Sequence, residues 1–128
     1  MSLPVRTVLV NYRNMEKTIA CIRALARMSV KPERVYLVDN ASTEESRSSF
    51  EKAFPQGRSE SFEIECFWNE NNIGFAAACN QGIRAAKQSG FEGFLWLLNN
   101  DTLPEPDALK ELLNVAVNTH AGITGSQI

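Results

Sequence analysis

The sequence has no CxxC pair, a single histidine and no long apolar run, and each absence removes a class of protein. Its three cysteines, Cys21, Cys66 and Cys79, are odd in number and widely spaced. Neither a disulfide framework nor a zinc site is expected, and the thiols read as small buried hydrophobes in a reducing compartment. The lone histidine, His120, has no nucleophile motif near it, so a Ser-His-Asp triad is disfavoured and a residue at a helix end is the simpler reading. The most apolar stretch, Phe94 to Leu98, is far shorter than the ~20 residues that span a bilayer. No basic region followed by a long apolar run opens the chain, so no secretory signal is expected. A cytoplasmic protein follows as the expectation, at most peripheral at the inner membrane face. The formal net charge of -2 gives no sign of general nucleic-acid binding. Two phosphate-binding loops are missing as well: there is no GxxxxGK[ST], and no GxGxxG follows the first strand-like segment. That disfavours a P-loop NTPase and a Rossmann dehydrogenase. A phosphate-bearing ligand must then be held by a metal, by backbone amides or by a helix N-terminus.

What is present is an ordinary globular composition, 44% hydrophobic and 22% charged over 128 residues, enough for one domain with a core. Val8 to Val10 is a buried-strand signature. Asn14 is placed to cap a helix over roughly 15–28, with Ile19, Ile22, Leu25 and Ala26 on one face. Lys31-Pro32 breaks the chain, and Val35 to Val38 reads as a second strand. Ser42 and Glu45 have capping-box spacing, which predicts a second helix ending before Pro55. Phe62, Ile64, Cys66 and Trp68 alternate with polar residues, as in a strand with one less buried face. An alanine-rich helix follows from near Gly74 to the C′ residue Gly90. Phe94 to Leu98 is a fourth strand, Pro106 suits the first turn of a fourth helix, and Ala121 to Ile128 reads as the opening of a fifth strand. The βαβαβαβαβ order predicts a three-layer α/β sandwich with a mostly parallel sheet, and the fold reads as one cut short.

Polar residues collect after every strand: Asn11-Tyr12-Arg13-Asn14, Asp39-Asn40-Ala41-Ser42, Asn69-Glu70-Asn71-Asn72 and Asn99-Asn100-Asp101. In a parallel sheet all four groups share the carboxyl edge, where such folds bind ligands. Asn and Asp also favour turns and caps, so each group alone has a bland reading. Together they point to a polar ligand. Asp101 is suited to bring Mg²⁺ or Mn²⁺ to a diphosphate, because these ions use one or two carboxylates plus substrate phosphates.

On these stretches the sequence resembles the family 2 glycosyltransferases, which have the GT-A fold. The matching segments are VLVNYRN (Val8 to Asn14), VYLVDNAS (Val35 to Ser42), NENNIGFAAACNQG (Asn69 to Gly82) and LWLLNNDTLPEPD (Leu95 to Asp107). VDNxS and NxGFAxxxNxG are similar to the bacterial rhamnosyltransferase-like branch. The resemblance implies a site residue by residue. Asn11 and Tyr12 fall in the first segment of the nucleotide site. Tyr12 matches the aromatic that packs on the nucleobase, or else is an ordinary strand-end residue. Asp39 matches the acid that hydrogen-bonds the base, against a turn or cap role. Asn72 and Gly74 match the loop and helix start bordering the nucleotide, and Gly74 equally suits a position needing a permissive backbone. Asn80 matches a polar position of the motif, and an interhelical hydrogen bond explains it as well.

Asn99-Asn100-Asp101 matches the family's DxD motif, with Asp101 at the metal-binding aspartate and Asn100 near the ribose. Asn99 replaces the first acid. Its amide oxygen can still ligate a hard cation or bond a hydroxyl, but it adds no charge. Trp68 and Trp96 read as core, Glu44 to Glu51 as a solvated helix face, and Arg13, Arg84 and Lys87 as solvated cations within reach of a phosphate.

The resemblance implies inverting transfer of a sugar from a UDP- or dTDP-sugar to a saccharide or lipid-linked acceptor, in cell-envelope polysaccharide or glycolipid synthesis. It places the general base beyond Ile128, so 1–128 reads as the nucleotide-sugar-binding part of a longer glycosyltransferase domain. Two rivals stand beside it. A nucleotidyltransferase uses a related sheet and an Asp-held metal, but normally has a Gly-rich loop where this chain has Asn11-Tyr12-Arg13. A non-catalytic nucleotide-sugar-binding domain binds without transfer.

Overall fold

The computed structural model describes residues 4–127. The elements alternate as β1 (Val5–Asn11), α1 (Met15–Ala26), β2 (Arg34–Asn40), α2 (Glu44–Ala53), a 3₁₀ turn (Pro55–Gly57), β3 (Glu63–Asn69), α3 (Phe75–Gln88), β4 (Phe94–Asn99) and α4 (Ala108–Thr119). The four strands form one parallel sheet in the order β3-β2-β1-β4. This is the expected α/β sandwich of the GT-A type.

The strand patterning explains the layers. Val5 and Leu9 of β1 with Val35 and Leu37 of β2 face one way, into a core shared with Cys21, Ile22 and Leu25 of α1, Phe50 of α2 and Leu109 and Leu113 of α4. Val8 and Tyr36 face the other way and pack with Ala86 of α3. The alanines of α3 let it lie close to the sheet, and Gly82 is required there: a Cβ on it would stand 2.7 Å from Val8 Cγ1. Steps from β1 to β2 and from β2 to β3 run in one direction. The step from β3 back to β4 crosses the whole sheet over its other face. The switch point therefore lies between β1 and β4, at the carboxyl edge.

Three expectations need correction. Thr43, not Ser42, caps α2, its side chain accepting from Ser46 N, while Ser42 is drawn back to Asp39. Pro106 precedes the last helix, which starts at Ala108. Residues 121–127 form no strand, and the last residue of the expected fifth strand, Ile128, lies outside the described residues. That segment holds Gly122 and Gly125, and Ile123 is 94% exposed, so it buries too little to be held against β4. Gly90 ends α3 as expected, with a positive φ of 79°. Among the described residues, no helix is long and apolar enough to cross a membrane.

Candidate functional site

The polar ends of the central strands are buried, and their side chains bond to one another. Asn11 and Asp39 are register partners on β1 and β2 and lie on the same face of the sheet. Asn11 Nδ2 donates to Asp39 Oδ1 at 2.7 Å. Ser42 adds two bonds to the same carboxylate, from its backbone N to Oδ2 at 3.0 Å and from its hydroxyl to Oδ1 at 2.5 Å. On its other side Asn11 Oδ1 accepts from Thr18 Oγ1 at 2.7 Å and from Asn100 Nδ2 at 3.1 Å. Asn100 Nδ2 also donates to Thr18 Oγ1 at 2.9 Å. Asn11, Thr18 and Asp39 are all buried, so each bond replaces one that water would otherwise make. This network ties β1, β2, α1 and the loop after β4 together.

A second network holds the other side of the edge. Asn69 Nδ2 donates to buried Asn40 Oδ1 at 3.1 Å, and Asn69 and Gln81 pair through both amides at 2.9 and 3.2 Å. Asn40 Nδ2 reaches Gly74 O at 3.4 Å. Asn72 Oδ1 accepts from Gly74 N at 3.0 Å, closing the tight turn that starts α3. Gly74 has φ 87°, and no atom lies within 4 Å of where its Cβ would stand. Its glycine answers the backbone angle, not crowding. No side chain caps the N-terminus of α3, which leaves first-turn N–H groups open to an acceptor.

The remaining expected site residues face solvent. Tyr12 is 44% exposed, and the Arg13 guanidinium lies 5.1 Å from its ring centroid. Asn72, Asn80, Asn99 and Asp101 are exposed, and Asn100 is half-buried. Asn80 makes no side-chain hydrogen bond among the described residues, so the interhelical bond weighed for it is absent; neighbouring Gln81 instead ties α3 to the end of β3 through Asn69. The Asn99 backbone is tied inward, paired with Val10 of β1 and accepting from Cys21 Sγ at its carbonyl, at 3.9 Å. Burial pushes the Cys21 thiol up to about 12, and the charge of Asp101 adds to the shift.

The expected metal-binding pair at this loop, Asp101 and Asn99, offers one carboxylate and one amide. No group of three or more His, Cys, Asp or Glu able to hold a metal occurs among the described residues. Such a set fits a hard cation that takes most of its ligands from a diphosphate and water. It does not fit a cation held by protein alone.

Thr18 and Gln81 bond into these networks and were not singled out from the sequence. Thr18 occupies the apolar stripe of α1 between Met15 and Cys21, and a polar residue on that stripe was the available signal. Gln81 gave none. Arg13 and Ala41, each just past a central strand, take left-handed φ values of 53° and 61°. Neither residue type favours that region, so both mark strain carried at the site.

The pattern of the whole chain decides its family. Residues 7–128 match the glycosyl transferase family 2. The chain belongs to that family. A comparison with curated proteins finds no match. Among solved structures it is similar to the mannosyltransferase PcManGT from Pyrobaculum calidifontis in complex with GDP-Man and Mn²⁺. The TM-score is 0.73 at 17% identity, over 91% of this chain and 33% of that one. It is also similar to S. aureus TarS in complex with UDP-GlcNAc, with a TM-score of 0.69 at 20% identity over 98% of this chain and 37% of that one. The family 2 chain thus spans about a third of the structures it matches.

Proposed function

We propose that this chain is the donor-nucleotide part of a glycosyltransferase domain, holding a nucleoside-diphosphate sugar at the carboxyl edge between β1 and β4. The observation that carries this reading is the exposure of Asp101 at the switch point, on a loop anchored through Asn100 to the buried network. The family match and the nucleotide sugars bound by the two similar structures support it.

The residues divide the work. Tyr12 offers an exposed ring to a nucleobase, beside buried Asp39, whose carboxylate already accepts from Asn11 and Ser42. A carboxylate has about four acceptor sites and the network uses three, so one remains for a base N–H. Asn72 and Gly74 shape the turn at the open end of α3, Asn80 stands exposed one turn further on, and Asn100 lies toward the ribose. Asp101 and Asn99 would hold Mg²⁺ or Mn²⁺ against the diphosphate. The ion when bound supplies Lewis-acid neutralisation of the leaving diphosphate. In the transfer itself an acceptor hydroxyl attacks the anomeric carbon with inversion, the bond from that carbon to the diphosphate oxygen breaks, and a general base outside residues 1–128 takes the hydroxyl proton. A narrower reading rests on VDNAS and NIGFAAACNQG: a bacterial rhamnosyltransferase-like enzyme of cell-envelope polysaccharide synthesis, using a dTDP- or UDP-sugar.

Calorimetry with UDP, dTDP and GDP, each with and without Mn²⁺, tests the proposal. Binding of at least one nucleotide is expected, tightened by Mn²⁺ and no longer tightened in Asp101→Ala. Binding that ignores the metal, or that is unchanged in Asp101→Ala, sinks the metal assignment. Glycosyl transfer by the isolated 128-residue chain overturns the placement of the base outside it.

A further inference from the structure

The direction of every hydrogen bond in the buried network follows from one end. The Asp39 carboxylate only accepts, so Asn11 must turn its NH₂ toward it, at 2.7 Å. That leaves Asn11 Oδ1 facing α1 and the loop after β4, where it can only accept. Thr18 therefore gives its hydroxyl proton to Asn11 Oδ1, at 2.7 Å, and has only lone pairs left for Asn100, at 2.9 Å. Asn100 in turn must present its NH₂ inward, to Asn11 Oδ1 and Thr18 Oγ1. Its Oδ1 has no donor among the described residues and stays available at the site. Thr18 is fully buried, and its backbone is fixed in α1 by the Thr18 N to Asn14 O bond of 3.1 Å. Two anchors from two elements thus hold one amide, and that amide sits between Asn99 and Asp101.

We propose that Thr18 is a positioning residue for the metal-binding loop: its hydroxyl, set by the Asp39–Asn11 pair, locks the Asn100 amide and so fixes where Asn99 and Asp101 present their oxygens. The inference rests on the donor-site reading above and adds to it a residue on α1 that touches no ligand. It also joins the base-facing and metal-facing ends of the site through one hydrogen-bonded network.

Two substitutions separate positioning from packing. Thr18→Val keeps the shape and removes the hydroxyl; Thr18→Ser keeps the hydroxyl and removes a methyl. The measurement is calorimetry of UDP, dTDP and GDP with and without Mn²⁺ on the 128-residue chain and both variants. For the nucleotide that shows a Mn²⁺ gain in the wild type, Thr18→Val should lose about tenfold of that gain, with metal-free affinity changed less than about twofold. Thr18→Ser should keep the gain within about twofold. A pure packing role predicts the reverse order. An unchanged Mn²⁺ gain in Thr18→Val overturns the positioning role and leaves the donor-site reading standing. No Mn²⁺ gain in the wild type overturns both. Should Thr18→Val fail to fold, the wild-type chain still decides. The Asn100 side-chain amide should give a dispersed, slowly exchanging NMR pair, and a pair at the averaged position of solvated asparagines overturns the lock.

Discussion

The carboxyl ends of β1 and β2 and the carboxyl end of β4 carry the same residue types and use them in opposite ways. Asn11, Asp39 and Asn40 are buried, and their polar atoms are engaged by neighbouring side chains or backbone. Asn99 and Asp101 are exposed, with their side-chain oxygens free of protein partners among the described residues. β4 differs from the central strands along its whole length: it is rich in large apolar residues yet sits at the sheet edge, with Leu97 48% exposed. On the reading proposed above, the central ends build the platform that also faces the base, and the edge loop would hold the metal on the diphosphate. Asn100 is the hinge of the comparison, half-buried, with its NH₂ in the platform.

Substitutions on the two sides should therefore separate stability from binding. The largest expected effect is at Asp39. Asp39→Ala strands the buried Asn11 Nδ2 and frees the half-buried Ser42 donors, and should cost about 3 kcal/mol in urea unfolding. A cost below about 1 kcal/mol would erase the platform side of the comparison. Gly82→Ala comes next, at about 2 kcal/mol, because its Cβ would overlap Val8 on the opposite face of the sheet. It sharpens the comparison as a control: nucleotide affinity at a temperature where the variant is folded should stay at the wild-type level. Asp101→Ala should change stability by no more than about 0.5 kcal/mol, since the side chain is exposed, while abolishing the Mn²⁺ gain. A large stability loss there would mean the edge loop is structural after all. The smallest effect is on pH. Burial pushes Cys21 and Cys66 up to about 12 from an ordinary 9.0. A raised folded value favours the neutral thiol, so this stability is fully present below pH 9 and drains away as pH climbs toward 12. Urea midpoints should be flat from pH 7 to 8.5 and fall above pH 9, and Cys21→Ala should reduce the fall.

The sequence made much of this legible because its signals were local. Strand and helix periods, the Gly90 stop and the four polar groups after the strands follow from residue spacing alone. Burial of the polar groups was not legible, because the same Asn or Asp serves a turn, a ligand or a network, and only the neighbouring strand decides. Asn11 pairs with Asp39, 28 positions away, and with Asn100, 89 positions away. The choice of Thr43 over Ser42 as the helix cap turns on a local competition instead: Asp39, three residues back, takes Ser42. The expected fifth strand failed for a different reason. Its composition suits a strand, but two glycines and a single well-placed apolar residue do not bury enough to hold one.

The central claim is that Asn99 to Asp101 places a divalent ion on a bound nucleoside diphosphate. Paramagnetic broadening by Mn²⁺ tests it most directly, read on the backbone amides of the 128-residue chain with UDP, dTDP or GDP present or absent. The account predicts loss of signal centred on Asn99, Asn100 and Asp101, strong with nucleotide and weak without it, because protein alone supplies one carboxylate. Broadening centred elsewhere, or equally strong without nucleotide, would contradict it.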